Sequence, residues 1–358
     1  MTSLLADFEY KVTNTNFTIN QEEFTYNYNR LRLENDYVQE NYYATFIGDV
    51  VNYYGEKYTD SLEFNFIKQL HADTTVQTQS AFYDYKKGSL YAKVYRFYGG
   101  YEDENNNVVV GLQNISMGVG KFWTPTNIFN PRNTYALEPD ETFGVMALNY
   151  TRNLSATSSA RVVVSQREDK TLKYALRYKA FLEYVDFAAD FVKSDDTLML
   201  GYEIQGSLSD TGVELQSEGA YIEATLKGIE NKQDFYQATV GADYGFRNGV
   251  SLTAEALYSS QTFTFAEIVS NLDSELIANL VDSNFYGAAS LEYNFNIFLA
   301  ASFTYIESFN KSNMKFISPT LTYTLNDYNS FTLGAILEDN RANVFDTNRY
   351  YFRYLLSF

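Results

Sequence analysis

The last eleven residues, Asn348-Arg-Tyr-Tyr-Phe-Arg-Tyr-Leu-Leu-Ser-Phe358, constrain the fold more than any other stretch. Every second residue from the end gives Phe358, Leu356, Tyr354, Phe352 and Tyr350. Between them lie Ser357, Leu355, Arg353, Tyr351 and Arg349. A strand sends alternate side chains to opposite faces. One face of this strand is therefore fit for lipid, and the other carries two arginines. The competing reading is an ordinary amphipathic strand in a soluble sheet.

Composition favours lipid. The 358 residues include 33 Tyr and 28 Phe, more aromatic surface than a soluble core uses and suited to the interfacial girdles of a membrane barrel. No apolar run approaches the length of a membrane helix. A spanning chain without one must satisfy its backbone as a closed sheet. With no Cys, the chain has no disulfide, thiol chemistry or common structural zinc site. The net charge of -18, from 45 acids against 27 bases, argues against a nucleic-acid partner. The first residues, Met1-Thr-Ser-Leu-Leu-Ala-Asp7, lack the basic and apolar regions of a signal peptide, so an outer-membrane location implies a signal already removed.

Alternation predicts strands at 5–13, 22–34, 40–54, 89–100, 106–119, 143–153, 157–166, 172–181, 184–193, 196–208, 212–226, 234–246, 249–262, 284–294, 297–307, 313–324, 329–339 and 346–358. The expected fold is all-β: an antiparallel up-and-down transmembrane barrel of about eighteen strands. Sixteen is the alternative if the N-terminal segment lies outside the wall and one further pair is misjudged. Phe24, Tyr26 and Tyr28 fall out of phase with Leu31 and Leu33, which predicts a bulge near Asn29. Ser61–Leu70 and Val76–Tyr85 each alternate and read as a projecting hairpin. Ile268, Val269, Leu272, Leu276 and Leu280 recur at helical spacing, so 265–281 reads as a short helix capping the rim. With Phe358 on the periplasmic side, the connections on that side are short, such as Leu208–Gly212 and Phe246–Gly249. Those at 55–88, 120–142 and 263–283 are long and extracellular, the asymmetry of an outer-membrane barrel.

A strand closing on a terminal aromatic resembles the C-terminal assembly signal of bacterial outer-membrane barrels, here Tyr350, Phe352, Tyr354, Leu356 and Phe358. Gly111-Leu-Gln-Asn-Ile-Ser-Met-Gly-Val-Gly120 and the following Lys121-Phe-Trp-Thr-Pro-Thr-Asn-Ile-Phe-Asn-Pro131 resemble a motif of porin-like outer-membrane proteins of Gram-negative bacteria. That family's pattern runs Gly-Arg-Gln, Trp-Gly-x-Gly, then Trp-x-Pro-Thr-Asp-x-Phe-Asn-Pro. Leu112 stands where the family has Arg, and Met117 where it has Trp. Weaker likeness runs through Tyr174–Asp186 and Gly241–Phe246. The resemblance implies the outer membrane, with its lipid and lipopolysaccharide and the barrel-assembly machinery as partners. A homotrimer is compatible with it.

Strand phase then divides the charges. Expected to line the pore are basic Arg30, Arg32, Arg96, Arg177, Lys179, Arg349 and Arg353, and acidic Asp186, Asp190, Glu214, Glu218, Asp243, Glu255 and Glu292. Arginine or lysine on the lipid face would cost about 2–4 kcal/mol at mid-membrane. The stretch 120–142 holds Trp123 and the prolines Pro125, Pro131 and Pro139. It is expected to follow the fifth wall strand into the lumen as a constriction loop. Its Glu138, Asp140 and Glu141 would then face Arg30, Arg32, Arg349 and Arg353 across a gap. His71, the single histidine, has no companion for catalysis, and no nucleotide or metal motif is present, so neither an enzyme nor a cofactor is expected. The expected function is a channel for small hydrophilic solutes, leaning towards cations. The alternative is a non-conducting adhesin, receptor or scaffold acting through its outer loops.

Overall fold

The computed structural model describes residues 2–19, 22–309, 314–339 and 347–358. Strands β1 (Thr2–Ile19), β2 (Glu22–Gln39) and β3 (Tyr42–Tyr54) lead into helices α1 (Glu56–Thr59) and α2 (Leu62–Gln69) and a short strand β4 (Tyr83–Tyr85). β5 (Gly88–Glu102) and β6 (Asn106–Gln113) follow. After a long connection come β7 (Val145–Ser155), β8 (Ser158–Gln166), β9 (Leu172–Leu182), β10 (Val185–Lys193), β11 (Thr197–Ser207), β12 (Val213–Ala224), β13 (Gln233–Gly245) and β14 (Val250–Ser259). Helix α3 (Phe265–Ser270) precedes β15 (Phe285–Asn294), β16 (Leu299–Ser308), β17 (Lys315–Asn326), β18 (Asn329–Asp339) and β19 (Thr347–Ser357). The predicted strand ends at Asn313 and Asp346 lie outside the described residues.

Apart from β4, the strands form a closed antiparallel barrel of eighteen, each paired with its neighbour in the chain. β1 and β19 seal it in register from Glu9 opposite Ser357 to Thr18 opposite Asn348. Phe358 and Phe8 exchange backbone hydrogen bonds of 2.8 and 2.9 Å, and their rings stack at 5.5 Å. Closure gives each of the eighteen wall strands a paired neighbour on both sides.

Alternation sorts the side chains. In β12, Gln216, Glu218, Ala220, Ile222 and Ala224 are buried inside. On the outer face, Val240 is 62% exposed and Leu333 56%, apolar surface that suits lipid contact. The aromatics of β2 reverse the expectation. Phe24, Tyr26 and Tyr28 point inward in phase with Arg30 and Arg32, and β2 pairs with both neighbours through Asn29 without a bulge. They face inward because α1 and α2 sit in the mouth, where Tyr58 and Phe64 pack against Phe17, Tyr26, Tyr53 and Tyr91. The bulge lies instead on β5, where Arg96 opposes Ile47 and Val94 opposes Gly48. The extra residue, Tyr95, shares the inner face with Arg96, whose guanidinium lies 4.0 Å from the Tyr95 ring centre.

The expected projecting hairpin is absent from this region. Its first half is α2, started by Ser61, whose hydroxyl accepts from the Phe64 N–H at 3.2 Å. Phe64 is fully buried, and that burial outweighs the local alternation. Its second half patches the wall. β6 ends at Gln113 and pairs with β5 only from Phe97 opposite Leu112 to Glu102 opposite Asn107, so the upper part of β5 has no β6 beside it. Residues 78–80 and β4 take that place, with Ser80 N–H to Ala92 C=O and Val94 N–H to Thr78 C=O both at 2.8 Å. The helix expected at 265–281 is cut to α3. Its Thr264–Glu267 capping box starts it, and the Asn271 side chain bonds the backbone of Lys227 and Glu267 and ends it. Leu276 and Leu280 are buried beyond it, so the segment is a packed cap.

Candidate functional site: the inner loop and the lumen wall

Residues 114–144 leave β6, the fifth wall strand, and run inside the barrel. Their first half is held by wall carboxylates that accept backbone N–H groups. Glu218 accepts from Val119, Gly120 and Thr126. Glu255 accepts from Lys121, Phe122 and Trp123 at 2.6 to 3.2 Å. Glu203 takes the N–H of Gly118 at 2.8 Å and is bonded by Arg177. Successive N–H groups aimed at one anion form a nest, and charge-assisted bonds of this kind are the strong ones. The close approach requires glycine. Gly118 has φ +93°, and a Cβ there would stand 2.6 Å from the Glu218 carboxylate. At Gly120 a Cβ would collide with the Trp123 carbonyl.

Apolar anchors complete this half. Ile115, Met117, Ile128 and Phe129 pack with Val163, Val192, Met199 and Ile222 of the inner wall. Phe122 and Trp123 pack with Leu257, Tyr286 and Ile306. Lys173 donates to the Ile128 carbonyl at 3.1 Å, and Asn279 to the Pro125 carbonyl at 3.1 Å. Within the loop, the Asn130 side chain accepts from Ile115 N–H and donates to Phe143 C=O, tying its start to its return. Pro131 directly follows this tie.

The second half meets the opposite wall through side chains. Glu138 is 2.7 Å from Lys11, 3.3 Å from Arg353 and 3.5 Å from Arg30. Glu141 is 2.8 Å from Arg30 and 3.0 Å from Arg32, which also bonds Asp49 at 2.7 Å. The expected gap is therefore closed at these two residues: acid and arginine touch. Burial alone would raise the Glu141 carboxyl, but the bond from Arg32 and the charges of Arg30 and Arg32 outweigh it and hold it well below the ordinary range. Burial likewise works against the Glu138 charge, and Lys11, Arg353 and Arg30 together keep it lowered. Asp140 differs: it is 82% exposed in its side chain and pairs only with Arg132, at 3.2 Å, among the described residues. Arg349 is drawn away to Glu63 of α2, at 2.6 and 3.0 Å.

The other wall charges fall into two groups. Arg96 is buried and donates to the Thr142 carbonyl at 3.0 Å. The buried Asp190 pairs with the half-buried Arg177 at 3.3 Å. With Glu218 and Glu255, these residues brace the loop or each other where open pore lining is expected. Water-accessible charges remain nearer the short-turn end: Lys179 and Asp186, 3.6 Å apart, Glu214, Glu292 and the half-buried Asp243. Lys121 of the loop reaches Asp243 at 3.6 Å. Sequence phase alone misses Glu203, Lys11, Lys121 and Arg132. The first two sit on the inner parity of their strands and are legible there. His71 lies in the outer loop, 3.8 Å from Glu168.

No family model matches this sequence, and no curated protein is detectably similar to it. Solved structures do match. OccAB1 of Acinetobacter baumannii superposes with a TM-score of 0.66 at 8% identity, over 99% of this chain and 96% of that one. OccK5 (OpdH) of Pseudomonas aeruginosa gives 0.63 at 10% identity, over 99% and 98%. OpdK of Pseudomonas aeruginosa, solved with vanillate, gives 0.61 at 10%, over 99% of each chain. The chain thus has the fold of outer-membrane porins, an eighteen-strand barrel.

Proposed function

We propose that the protein is an outer-membrane channel through which small hydrophilic solutes diffuse passively, with the loop at 120–142 as its narrowest section. The observation that carries this reading is the loop itself, bonded to Glu218 and Glu255 on one side of the lumen and to Arg30 and Arg32 on the other. A loop fastened across a barrel of this size divides it into an outer and an inner vestibule, because eighteen strands enclose more space than wall side chains fill. Asp186, Glu214, Asp243 and Glu292 on one flank of the inner vestibule, and Asp7, Glu34 and Asp36 on another, support a cation preference. In this reading the protein is not an enzyme. Assembly is directed by the outward face of β19, so deleting Phe358, or Tyr354→Asp, lowers the heat-modifiable fraction in the outer membrane.

Single-channel recording in planar bilayers tests the proposal. The wild-type barrel conducts, shortening residues 124–140 raises its conductance, and reversal potentials in a salt gradient favour cations. A barrel that inserts and stays silent overturns the channel, and a shortened loop with unchanged conductance overturns the constriction.

A further inference from the structure

On the outer side of the loop lies a cavity of about 440 Å³. It falls within the roughly 300–1,000 Å³ of small-molecule sites. Its floor is the segment 133–138, one side is α1 and α2, and the other is the wall of β1, β2, β3, β18 and β19. Tyrosines dominate it: Tyr26, Tyr28 and Tyr53 from the wall, Tyr58 from α1 and Tyr135 from the loop, with Thr13 beside them. We propose that this chamber is a binding site for a neutral polyhydroxylated ring, a mono- or disaccharide, through which the channel selects its solute.

Charge pairing and ring chemistry decide the class. Arg349 and Glu63 are joined by two bonds, and Glu138 is shared by Lys11, Arg353 and Arg30. A solute carrying net charge must displace a partner from one of these pairs, at a cost in desolvation that it recovers only by an equally good contact. A neutral solute leaves them in place. An aromatic hydrocarbon would fill the space but offer no hydrogen bond to the tyrosine and threonine hydroxyls that border it. A sugar ring matches both features. Its C–H faces lie on aromatic rings, and its edge hydroxyls donate to and accept from hydroxyls. Tyrosine supplies both kinds of contact in one side chain with little rotamer entropy to lose.

The proposal rests on the reading of the lumen as a solute path, but its test is independent of conduction. Maltose is titrated by calorimetry into the barrel in lauryldimethylamine oxide, a detergent without a sugar headgroup, with benzoate as the charged planar control. Saturable binding of maltose and none of benzoate is expected. Tyr28→Phe combined with Tyr53→Phe, which keeps the rings and removes two hydroxyls, weakens maltose about tenfold. Ala136→Trp, which fills the floor from a loop position, abolishes binding and covers the case in which the tyrosine variant fails to assemble. Absence of maltose binding, or binding that survives in an assembled variant of either kind, overturns the proposal, as does benzoate binding in its place. A barrel that conducts ions and binds no maltose leaves the channel reading standing. One that binds maltose and conducts nothing overturns the channel alone.

Discussion

The two attachments of the inner loop use opposite chemistry. At its root, wall carboxylates accept backbone N–H groups of residues 118–126, and the loop's side chains contribute mainly apolar packing. At its far end, loop carboxylates meet wall arginines and a lysine, and the backbone contributes only carbonyls, Leu137 C=O to Arg353 at 3.4 Å and Thr142 C=O to Arg96 at 3.0 Å. The root depends on path: any residue whose backbone follows that path offers the same amides, but a Cβ at Gly118 or Gly120 spoils it. The far end depends on charge and changes with anything that alters protonation.

The comparison breaks most sharply at Glu218 and Glu255. Glu218→Ala leaves the N–H groups of Val119, Gly120 and Thr126 facing a dry wall, at about 1–3 kcal/mol each. A fall in the heat-modification temperature and new protease cleavage within 118–130 are expected. Gly120→Val acts by the same route, since its Cβ and the Trp123 carbonyl cannot both keep their places. Equal protease resistance in wild type and both variants would mean that apolar packing alone holds the root.

Glu138→Gln with Glu141→Gln comes next. Arg30, 1% exposed, keeps only Glu9 of its three acidic partners. Removing one side of a buried pair costs several kcal/mol, and partial solvent access at the two glutamates reduces this to about 2 kcal/mol. Asp140→Asn, by contrast, leaves the heat-modification temperature unchanged, because its carboxylate is in water.

A smaller effect separates the ends by pH. Both Glu138 and Glu141 are held below the ordinary carboxylate value, so their contribution is fully present above about pH 4.5 and is lost as pH falls through their lowered values. Proteolysis of residues 136–142 is therefore flat from pH 7 to about 4.5 and rises only in stronger acid. The double glutamine variant is already loose at neutral pH and shows no such rise. A rise above pH 5 in the wild type would show that these pairs do not hold the far end.

How much was legible in the sequence depended on whether a residue's partner leaves a mark there. The final strand was readable because its two faces carry different chemistry, and Tyr350 and Phe352 stand outside while Arg349 and Arg353 stand inside. The loop's inward course was foreshadowed by Phe122, Trp123, Ile128 and Phe129, all of them buried. Strand phase puts Glu218 and Glu255 on the inner face, but a carboxylate facing water and one facing a backbone amide look alike in sequence. Only Gly118 and Gly120 betray the difference. The aromatics of β2 misled because tyrosine suits lipid interfaces and packed interiors equally, and what decides is the position of α1 and α2 in space.

The short β6 has a further consequence. The chain that turns inward after Gln113 withdraws a stave from the wall, and residues 78–85, made earlier, already occupy the vacancy beside β5. The seam at that height is a splice laid by a preceding segment, so the pairing of upper β5 is uncoupled from the length of the inner loop. Narrow or wide apertures can be fitted to the same cylinder by adding or removing residues between Thr124 and Asp140, with the partner of β5 unchanged.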